Sequence, residues 1–226
     1  MPRLPSQCMV CRAWPCADIL CSNCRHRFDM QPLRCTGCAL SLPGLSPEQP
    51  RCGACLRQAP VWMHAYAWVD YSYPWNHLIT QWKFGQQAAL AQHFARWMQK
   101  DPKVQQMLMQ ADAILAIPLS RPRLRERGYN PAAQLAQKLQ PSKYLPQALQ
   151  RVRHTPPQSD LTRTQRMRNL RQAFDVPPSQ RAAIADRRLL LIDDVMTTGA
   201  TLSVATHCLL QAGASEVSVL CMARTP

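Results

Sequence analysis

Apolar residues follow a regular pattern only after Pro60. From Ala113 onwards, short apolar runs such as AILAI and RLLLI alternate with segments of helical periodicity. The final pair is GATLSVATHCLLQAG, a predicted helix closed by Gly213, followed by the predicted strand EVSVLCMA. Strands that alternate with helices are typical of a parallel sheet covered on both faces. The sequence therefore predicts an α/β fold for this part of the chain.

The remaining elements are predicted from the same patterns. A strand or hairpin that turns at Pro74 is predicted over VWMHAYAWVDYSYPW, and helices over WNHLITQWKF and QAALAQHFARWMQ, the second weakening at Pro102. A further helix is predicted over NPAAQLAQKL, with Asn130 as N-cap and Pro131 in its first turn. A short strand is a candidate in ALQRV, and a basic helix in LTRTQRMRNLRQAF. We expect the RLLLI strand to end at Ile192 and the two acids that follow it to face solvent.

The segment before Pro60 is poor in apolar residues and rich in cysteine. Eight of its cysteines form four C-x-x-C pairs: Cys8–Cys11, Cys21–Cys24, Cys35–Cys38 and Cys52–Cys55. The tight turn of each pair can aim two thiolates at one tetrahedral metal, so the four pairs predict two structural zinc sites. Consecutive pairing in chain order suits two zinc ribbons, but the spacing also allows an interleaved pairing. An iron–sulfur cluster is the weaker alternative.

We therefore expect a double zinc-ribbon domain over residues 1–60 and an α/β domain over residues 61–226. Metal binding should supply most of the folding free energy of the first domain. Cys16 lies outside the four pairs and is expected to be a spare thiol, whereas Cys208 and Cys221 lie among apolar residues and are expected in the core.

Composition narrows the class of partners. The formal net charge of +14 favours polyanions, either nucleic acid or phosphorylated metabolites. No apolar run approaches the ~20 residues that cross a bilayer, so no membrane insertion is expected. The start, MPRLPSQC, lacks the apolar stretch of a signal peptide, which predicts a cytoplasmic location, where reducing conditions disfavour disulfides.

The segment LLLIDDVMTTGATL places chemistry at the end of a predicted strand. Ligands of parallel sheets bind beyond the carboxyl ends of the strands. Backbone N–H groups before the next helix can hold a phosphate, and the loop that offers them is Thr197, Thr198, Gly199, Ala200 and Thr201. Asp193 and Asp194 would repel that phosphate but suit sugar hydroxyls or Mg²⁺. The segment therefore predicts a site for a sugar phosphate with vicinal hydroxyls.

This segment resembles the phosphoribosyl pyrophosphate (PRPP) signature of type I phosphoribosyltransferases. The chain also resembles the ComF family, which includes the GntX-like proteins, in the order of its segments. These are the four cysteine pairs, WKF, IPLSRPRLRERGYN, RHTPPQSDLTRTQRMRNLRQAF and the PRPP signature. The resemblance implies a type I phosphoribosyltransferase-like parallel sheet flanked by helices, with a small N-terminal double zinc ribbon. It also implies handling of incoming single-stranded DNA in natural transformation, or use of DNA as a nutrient. Tyr129 and Pro131 depart from the phenylalanine and glutamine that are frequent in the family.

The resemblance also suggests roles for individual residues. Asp193 and Asp194 would be catalytic, with Mg²⁺ bound together with PRPP. The RPRLRERGYN segment would be the pyrophosphate loop, in which Arg125 and Arg127 grip the pyrophosphate, while Arg121 and Arg123 are explained equally well by a solvated loop. Lys83 is a weaker candidate for a phosphate contact, and its neighbour Phe84 is expected in the core. Candidate DNA contacts are Arg163, Arg166, Arg168 and Arg171, although helix-spaced arginines are more often a solvated face.

Two functions are compatible with these features. The first is a competence or DNA-utilisation protein that binds single-stranded DNA and PRPP, with other DNA-processing proteins as further partners. The second is a metabolic phosphoribosyltransferase with a structural zinc extension. The basic balance and the cysteine pairs favour the first. No residue predicts a pocket for an acceptor base, so catalysis itself is not predicted.

Overall fold

The computed structural model of the protein describes residues 6–28, 32–42, 44, 46, 48, 50–152 and 173–226. In these residues the helices are Ser22–Phe28 (α1), Gly53–Arg57 (α2), Trp75–Phe84 (α3), Leu90–Met98 (α4), Pro102–Gln110 (α5), Arg121–Arg127 (α6), Pro131–Leu139 (α7), Pro178–Ile184 (α8) and Ala200–Gln211 (α9). The strands are Ala65–Asp70 (β1), Ala113–Ala116 (β2), Gln150–Arg151 (β3), Phe174–Asp175 (β4), Arg188–Met196 (β5) and Glu216–Arg224 (β6). No helix among the described residues is both long enough and apolar enough to span a bilayer.

The centre of the fold is a parallel sheet with the strand order β1-β6-β5-β2. In the central strand β5, Leu191 lies opposite Leu115 of β2 and Val219 of β6. Strands of a parallel sheet are buried on both faces, which explains their nearly continuous apolar sequences. The predicted α/β fold, with a parallel sheet flanked by helices, is confirmed.

Alternate side chains of the strands enter two hydrophobic clusters, one on each face of the sheet. On one face, Leu190 and Ile192 belong to the cluster that includes residues of α3, α4 and α7. On the other face, Leu189 and Leu191 belong to the cluster that includes residues of α9. Cys221 is fully buried in this second cluster, as the sequence predicts.

The cysteine-rich segment packs closely against the sheet and its helices. Cys8, Leu20 and Cys24 belong to the same buried cluster as the tryptophans of β1, α3 and α4. The Asp18 carboxylate lies 2.5 Å from His93 Nδ1 and 2.5 Å from Arg96 Nη2, both on α4. The predicted boundary at residue 60 therefore lies between two parts that share a core.

The structure differs from the predicted elements in several places. Helix α5 is not predicted, although its start carries ordinary signals: Pro102 is its first residue, and the Asp101 carboxylate caps it by accepting from Lys103 N at 2.8 Å. The candidate strand ALQRV shortens to Gln150–Arg151. The predicted basic helix lies almost entirely outside the described residues.

Candidate functional site

The two acids lie within β5 and not beyond its end. The strand continues for four residues past Ile192, and Asp193 pairs in register with Cys221 of β6. The prediction that the strand ends at Ile192 is therefore wrong, because hydrogen bonding to β6 continues through the polar residues to Met196. The acids nevertheless lie near the carboxyl edge of the sheet, where parallel α/β folds bind ligands.

Asp194 is buried and paired with Lys83 of α3. It is 9% exposed, and its Oδ1 lies 2.6 Å from Lys83 Nζ. The expectation that the acids face solvent is therefore wrong for Asp194. Lys83, predicted as a weak phosphate contact, is brought to the acid pair itself, so a cation and two carboxylates lie together at this edge.

The surroundings of Asp193 disfavour the ionised form of its carboxyl group. Burial and the adjacent charge of Asp194 raise the pKa of Asp193 well above its ordinary value. Lys83, the Asp194 N–H and Arg151 lower this pKa, but they offset only part of the increase. The Asp194 backbone N–H donates to Asp193 Oδ1 at 2.9 Å. An additional cation or a set of hydroxyl donors would therefore be favourable beside Asp193.

The predicted phosphate loop connects β5 to α9. Thr197 and Thr198 are exposed, whereas Gly199 is buried and has a φ of +74°, in the left-handed region that favours glycine. Helix α9 begins at Ala200, and its first N–H groups lack partners within the helix. The loop therefore joins exposed threonine hydroxyls to a helix N-terminus, which suits a phosphate.

The cysteines form two tetrads among the described residues. The first is Cys8, Cys11, Cys21 and Cys24, and the second is Cys35, Cys38, Cys52 and Cys55, with all sulfur atoms of a tetrad within 4.8 Å of one another. The structure thus groups the pairs consecutively and not in the interleaved order. Cys11 and Cys21 Sγ are 3.6 Å apart, and Cys38 and Cys52 Sγ are 3.8 Å apart. Four thiolates around zinc at 2.3 Å have an edge of about 3.8 Å, so both tetrads fit Zn²⁺.

In each tetrad, backbone hydrogen bonds favour the thiolate form of one cysteine. Burial raises the pKa of Cys8, but backbone donors, led by Cys21 N at 3.4 Å, outweigh it and lower the pKa to about 6. Burial likewise raises the pKa of Cys35, and donors led by Cys52 N at 3.2 Å lower it to about 7. Thiolates are the form that binds zinc, so the backbone of each tetrad favours a metal.

Comparison with known proteins identifies the family. Residues 124–226 match the family described as the phosphoribosyl transferase domain. The DNA utilization protein YhgH of Salmonella typhimurium is 31% identical over the full length of both chains. Competence protein F of Haemophilus influenzae is 33% identical over 91% of this chain and 90% of its own. The chain belongs to the ComF family.

Solved structures give a weaker match to this ComF-family chain. The glutamine PRPP amidotransferase of B. subtilis, solved with ADP and GMP, aligns with 58% of this chain and 26% of its own at 19% identity and a TM-score of 0.37. The sheet and the matched domain family, rather than this alignment, establish the phosphoribosyltransferase-like fold.

The arginine-rich segment of this ComF-family chain is a helix and not a loop. Residues 121–127 form α6, which ends at Gly128 with a φ of +81°. The prediction of a loop is therefore wrong for residues 121–127, whereas the pyrophosphate contacts of these arginines stay a prediction. Residues two apart on a helix point in different directions, so Arg125 and Arg127 do not form one fork. Arg125 is exposed, and the Arg127 guanidinium lies 4.7 Å from the centre of the Phe84 ring.

Phe84 is exposed at the end of α3, next in sequence to Lys83, the partner of Asp194. It is 67% exposed, so the prediction that it lies in the core is wrong. As the last residue of α3, it follows Lys83 directly and extends past the core that the helix covers with Trp82. The Tyr129 hydroxyl donates to the Trp82 carbonyl and thereby ties the end of α6 to the end of α3. Tyr129, which replaces the phenylalanine frequent in the family, thus supplies a hydrogen bond that phenylalanine would lack.

The predicted DNA contacts Arg163, Arg166, Arg168 and Arg171 lie outside the described residues. The described residues on either side of residues 153–172 pair with each other: β3 and β4 are antiparallel, with Arg151 opposite Phe174. Arg151 is close enough to Asp193 to lower the pKa of that carboxyl. The chain therefore enters residues 153–172 beside the acid pair.

Sequence reasoning missed Trp62 as part of this site. Its ring lies against Gly199, because a Cβ added at residue 199 would be 2.9 Å from Trp62 Cη2. Trp62 is 7% exposed. The sequence does show a large aromatic residue between the last cysteine pair and β1. Spacing along the chain, however, does not show that this residue contacts a loop 137 residues later in sequence.

Proposed function

We propose that this ComF-family protein acts in DNA utilisation by binding PRPP with Mg²⁺ at the carboxyl edge of β5 and by binding single-stranded DNA beside it. The observation that carries the proposal is that β5 contains the acid pair and leads into the phosphate-type loop. Both lie within residues 124–226, which match the phosphoribosyl transferase domain. The family members named for competence and DNA utilisation support the link to DNA.

Each part of the edge has a distinct role in this proposal. The loop from Thr197 to Thr201 holds the 5-phosphate through N–H groups and hydroxyls. Asp193 and Asp194 accept from the ribose hydroxyls. Their oxygen atoms also fit Mg²⁺, which prefers carboxylate and phosphate oxygens and would neutralise the pyrophosphate when bound. The raised pKa of Asp193 supports this fit, since burial and the charge of Asp194 disfavour its ionised form, which a bound cation would favour.

Lys83 is a cation shared between the protein and the ligand. Its ammonium is paired with Asp194 at 2.6 Å, and the side chain retains 16% exposure. A pyrophosphate that approaches the acid pair would compete for this ammonium, while Mg²⁺ replaces it beside the acid. Arg123 and Arg125, both exposed on α6, provide further positive charge for the pyrophosphate.

The first prediction tests the PRPP site. Replacing Asp193 and Asp194 together by asparagine keeps their size but removes the charge. We expect PRPP binding to weaken by roughly 1–3 kcal/mol and to lose its dependence on Mg²⁺. Calorimetric titration with and without Mg²⁺ measures both effects.

The control for this titration is Asp112→Asn. Asp112 is an exposed aspartate that pairs with Arg188 at 2.9 Å, at the amino ends of β2 and β5 and hence at the opposite edge of the sheet. Its replacement should leave PRPP binding unchanged. Absence of PRPP affinity in the wild-type protein would overturn the proposal.

Single-stranded DNA would bind through exposed aromatic rings and arginines. Phe84 is exposed with Arg127 over its ring, 4.7 Å from the centroid. Tyr73 is 61% exposed and meets Phe28 edge-on at 5.7 Å, and Arg27 lies over Phe28 at 5.4 Å. Bases stack on exposed aromatic rings, and arginines neutralise the phosphates. Phe84 also lies next to Lys83, which would place a base of the DNA beside the PRPP site.

The second prediction tests this surface. Phe84→Ala should weaken binding of a single-stranded oligonucleotide by about 1–3 kcal/mol, the range for the loss of one base–aromatic stack. Phe84→Trp should preserve binding. Met109→Ala is the control, since Met109 is 72% exposed and belongs to α5. Fluorescence anisotropy at several salt concentrations measures the affinities.

Charge reversal at Arg163, Arg166 and Arg168 extends this test to the residues that the sequence predicts as DNA contacts. It should weaken binding and reduce its salt dependence, since fewer counterions are released. Unchanged affinity in both the Phe84→Ala protein and the charge-reversed protein would contradict the DNA proposal.

The acid pair also favours a second function, phosphoribosyl transfer to an acceptor. In such a reaction the bond from the anomeric carbon to pyrophosphate breaks, and the carboxylates stabilise positive charge on the sugar. Release of pyrophosphate from PRPP on addition of nucleobases or of single-stranded DNA would demonstrate it. PRPP binding without release, under all of these conditions, supports a sensing role for the site.

A further inference from the structure

We propose that the second cysteine tetrad positions the phosphate loop, so that metal bound by Cys35, Cys38, Cys52 and Cys55 raises the affinity of the distant sugar-phosphate site. Two side chains, Trp62 and Arg224, form the connection. The inference rests on the proposed function of the loop, and it assigns Trp62 and Arg224 as positioning residues for that function.

Trp62 links the tetrad to the middle of the loop. Its indole Nε1 donates to the carbonyl of Gly37 at 2.6 Å, and Gly37 lies between the ligands Cys35 and Cys38. The same indole ring covers Gly199, where an added Cβ would approach it to 2.9 Å. One buried, flat side chain therefore contacts the metal-binding turn at one end and the start of α9 at the other.

Gly37 is itself held by the tetrad. A Cβ added at Gly37 would lie 2.9 Å from the Sγ atom of Cys55, so the backbone of this turn packs closely against that ligand. A metal that fixes the positions of Cys35, Cys38 and Cys55 would also fix the Gly37 carbonyl that Trp62 binds. Without the metal, no bond would hold the four sulfur atoms together, and this carbonyl would lose its fixed position.

Arg224 links the tetrad to the residue just before the loop. Its Nε donates to the carbonyl of the ligand Cys38 at 3.0 Å, and its Nη1 donates to the carbonyl of Met196 at 3.4 Å. Met196 is also the register partner of Arg224 and directly precedes Thr197. The two connections therefore hold the loop at both Met196 and Gly199.

The first tetrad has contacts of the same kind but to other elements. The Trp75 indole on α3 donates to the Phe28 carbonyl at 3.1 Å, and Asp18 pairs with His93 and Arg96 on α4. These hydrogen bonds and ion pairs reach α3 and α4 and not residues 197–201. This difference provides a matched control within the same chain.

The third prediction uses two indole replacements that remove equivalent hydrogen bonds. Trp62→Phe removes the bond to Gly37 and shortens the ring that reaches Gly199 through Cη2, whereas Trp75→Phe removes the bond to Phe28. Titration of the zinc-loaded, full-length proteins with ribose 5-phosphate should show an affinity lower by about three- to tenfold for Trp62→Phe and unchanged for Trp75→Phe. Equal affinities in all three proteins would overturn the inference.

A second measurement does not depend on ligand binding. Amide hydrogen exchange at residues 197–201, measured at a temperature at which every variant is folded, should become faster in Trp62→Phe and in Cys38→Ser, and should remain at the wild-type rate in Trp75→Phe and Cys11→Ser. The two cysteine variants each remove one ligand, from the second and the first tetrad respectively. Wild-type exchange rates in Trp62→Phe and Cys38→Ser would overturn the inference.

The two measurements separate the inference from the proposed function. Faster exchange at the loop in a protein that binds neither ribose 5-phosphate nor PRPP would support the structural connection and contradict the PRPP proposal. Tight binding by the wild type, with no difference between the Trp62 and Trp75 variants in either measurement, would support the PRPP proposal and contradict the connection.

Discussion

At the scale of single residues, Asp193 and Asp194 are adjacent in sequence but differ in electrostatic environment. Asp194 has a lysine partner at 2.6 Å, whereas burial and Asp194 raise the pKa of Asp193 above its ordinary value. The sequence shows the pair and its place on a strand, but Lys83 is 111 residues away and its pairing depends on how α3 packs. Identical residue types therefore have different electrostatic surroundings, which spacing alone could not predict.

The fourth prediction compares the two acids one at a time. Because the pKa of Asp193 is raised in the folded state, its contribution to stability is fully present below the unfolded value of about 3.9 and is lost as pH rises towards the folded value. Asp193→Asn should therefore raise the thermal unfolding midpoint at neutral pH and flatten its dependence on pH. Asp194→Asn should instead lower stability by about 1–3 kcal/mol, because it removes the carboxylate that pairs with Lys83 at 2.6 Å.

Thermal unfolding of the three proteins between acidic and neutral pH, without PRPP or Mg²⁺, measures these effects. Asp112→Asn again serves as the control, since its partner Arg188 is half exposed and loses little when the pair is broken. A lower midpoint for Asp193→Asn at neutral pH would show that this carboxylate is stabilised by partners, contrary to the raised pKa.

At the scale of elements, local signals predict those whose boundaries are fixed locally. Helix α7 begins where Asn130 and Pro131 predict it, with the Asn130 carboxamide accepting from Ala132 N at 3.1 Å. Strand β5 is longer than predicted because pairing with β6 satisfies the backbone of the polar residues after Ile192. Helix α6 is not predicted, because the chemistry of its arginines indicates a binding loop. The helix depends instead on backbone hydrogen bonds, such as the one from Gly128 N to Leu124 O at 2.8 Å.

At the scale of the whole molecule, the cysteine-rich segment contributes to the core of the phosphoribosyltransferase-like part. Cys8 and Cys24, ligands of the first tetrad, are buried in one cluster with Trp68 and Trp75. The second tetrad is joined to the carboxyl edge of the sheet by Trp62 and Arg224. The metal ligands and the sheet therefore stabilise each other, although their sequences suggest separate domains.

The final prediction concerns metal content and cooperativity. The purified protein should contain two zinc ions, and Cys11→Ser should reduce the content to one, while Cys208→Ser, outside both tetrads, should leave it at two. Sequence composition alone suggests that chelation would unfold only the residues up to Cys55. The shared core changes this expectation: removing zinc should lower the unfolding midpoint of the whole chain, because the bonds that hold Cys8 and Cys24 in one cluster with Trp68 and Trp75 are then lost. Near-ultraviolet circular dichroism, which reports the packing of these tryptophans, should follow the same transition as far-ultraviolet helix loss. If chelation leaves the tryptophan signal and the main transition unchanged, the two parts fold independently and the shared core contributes little to stability.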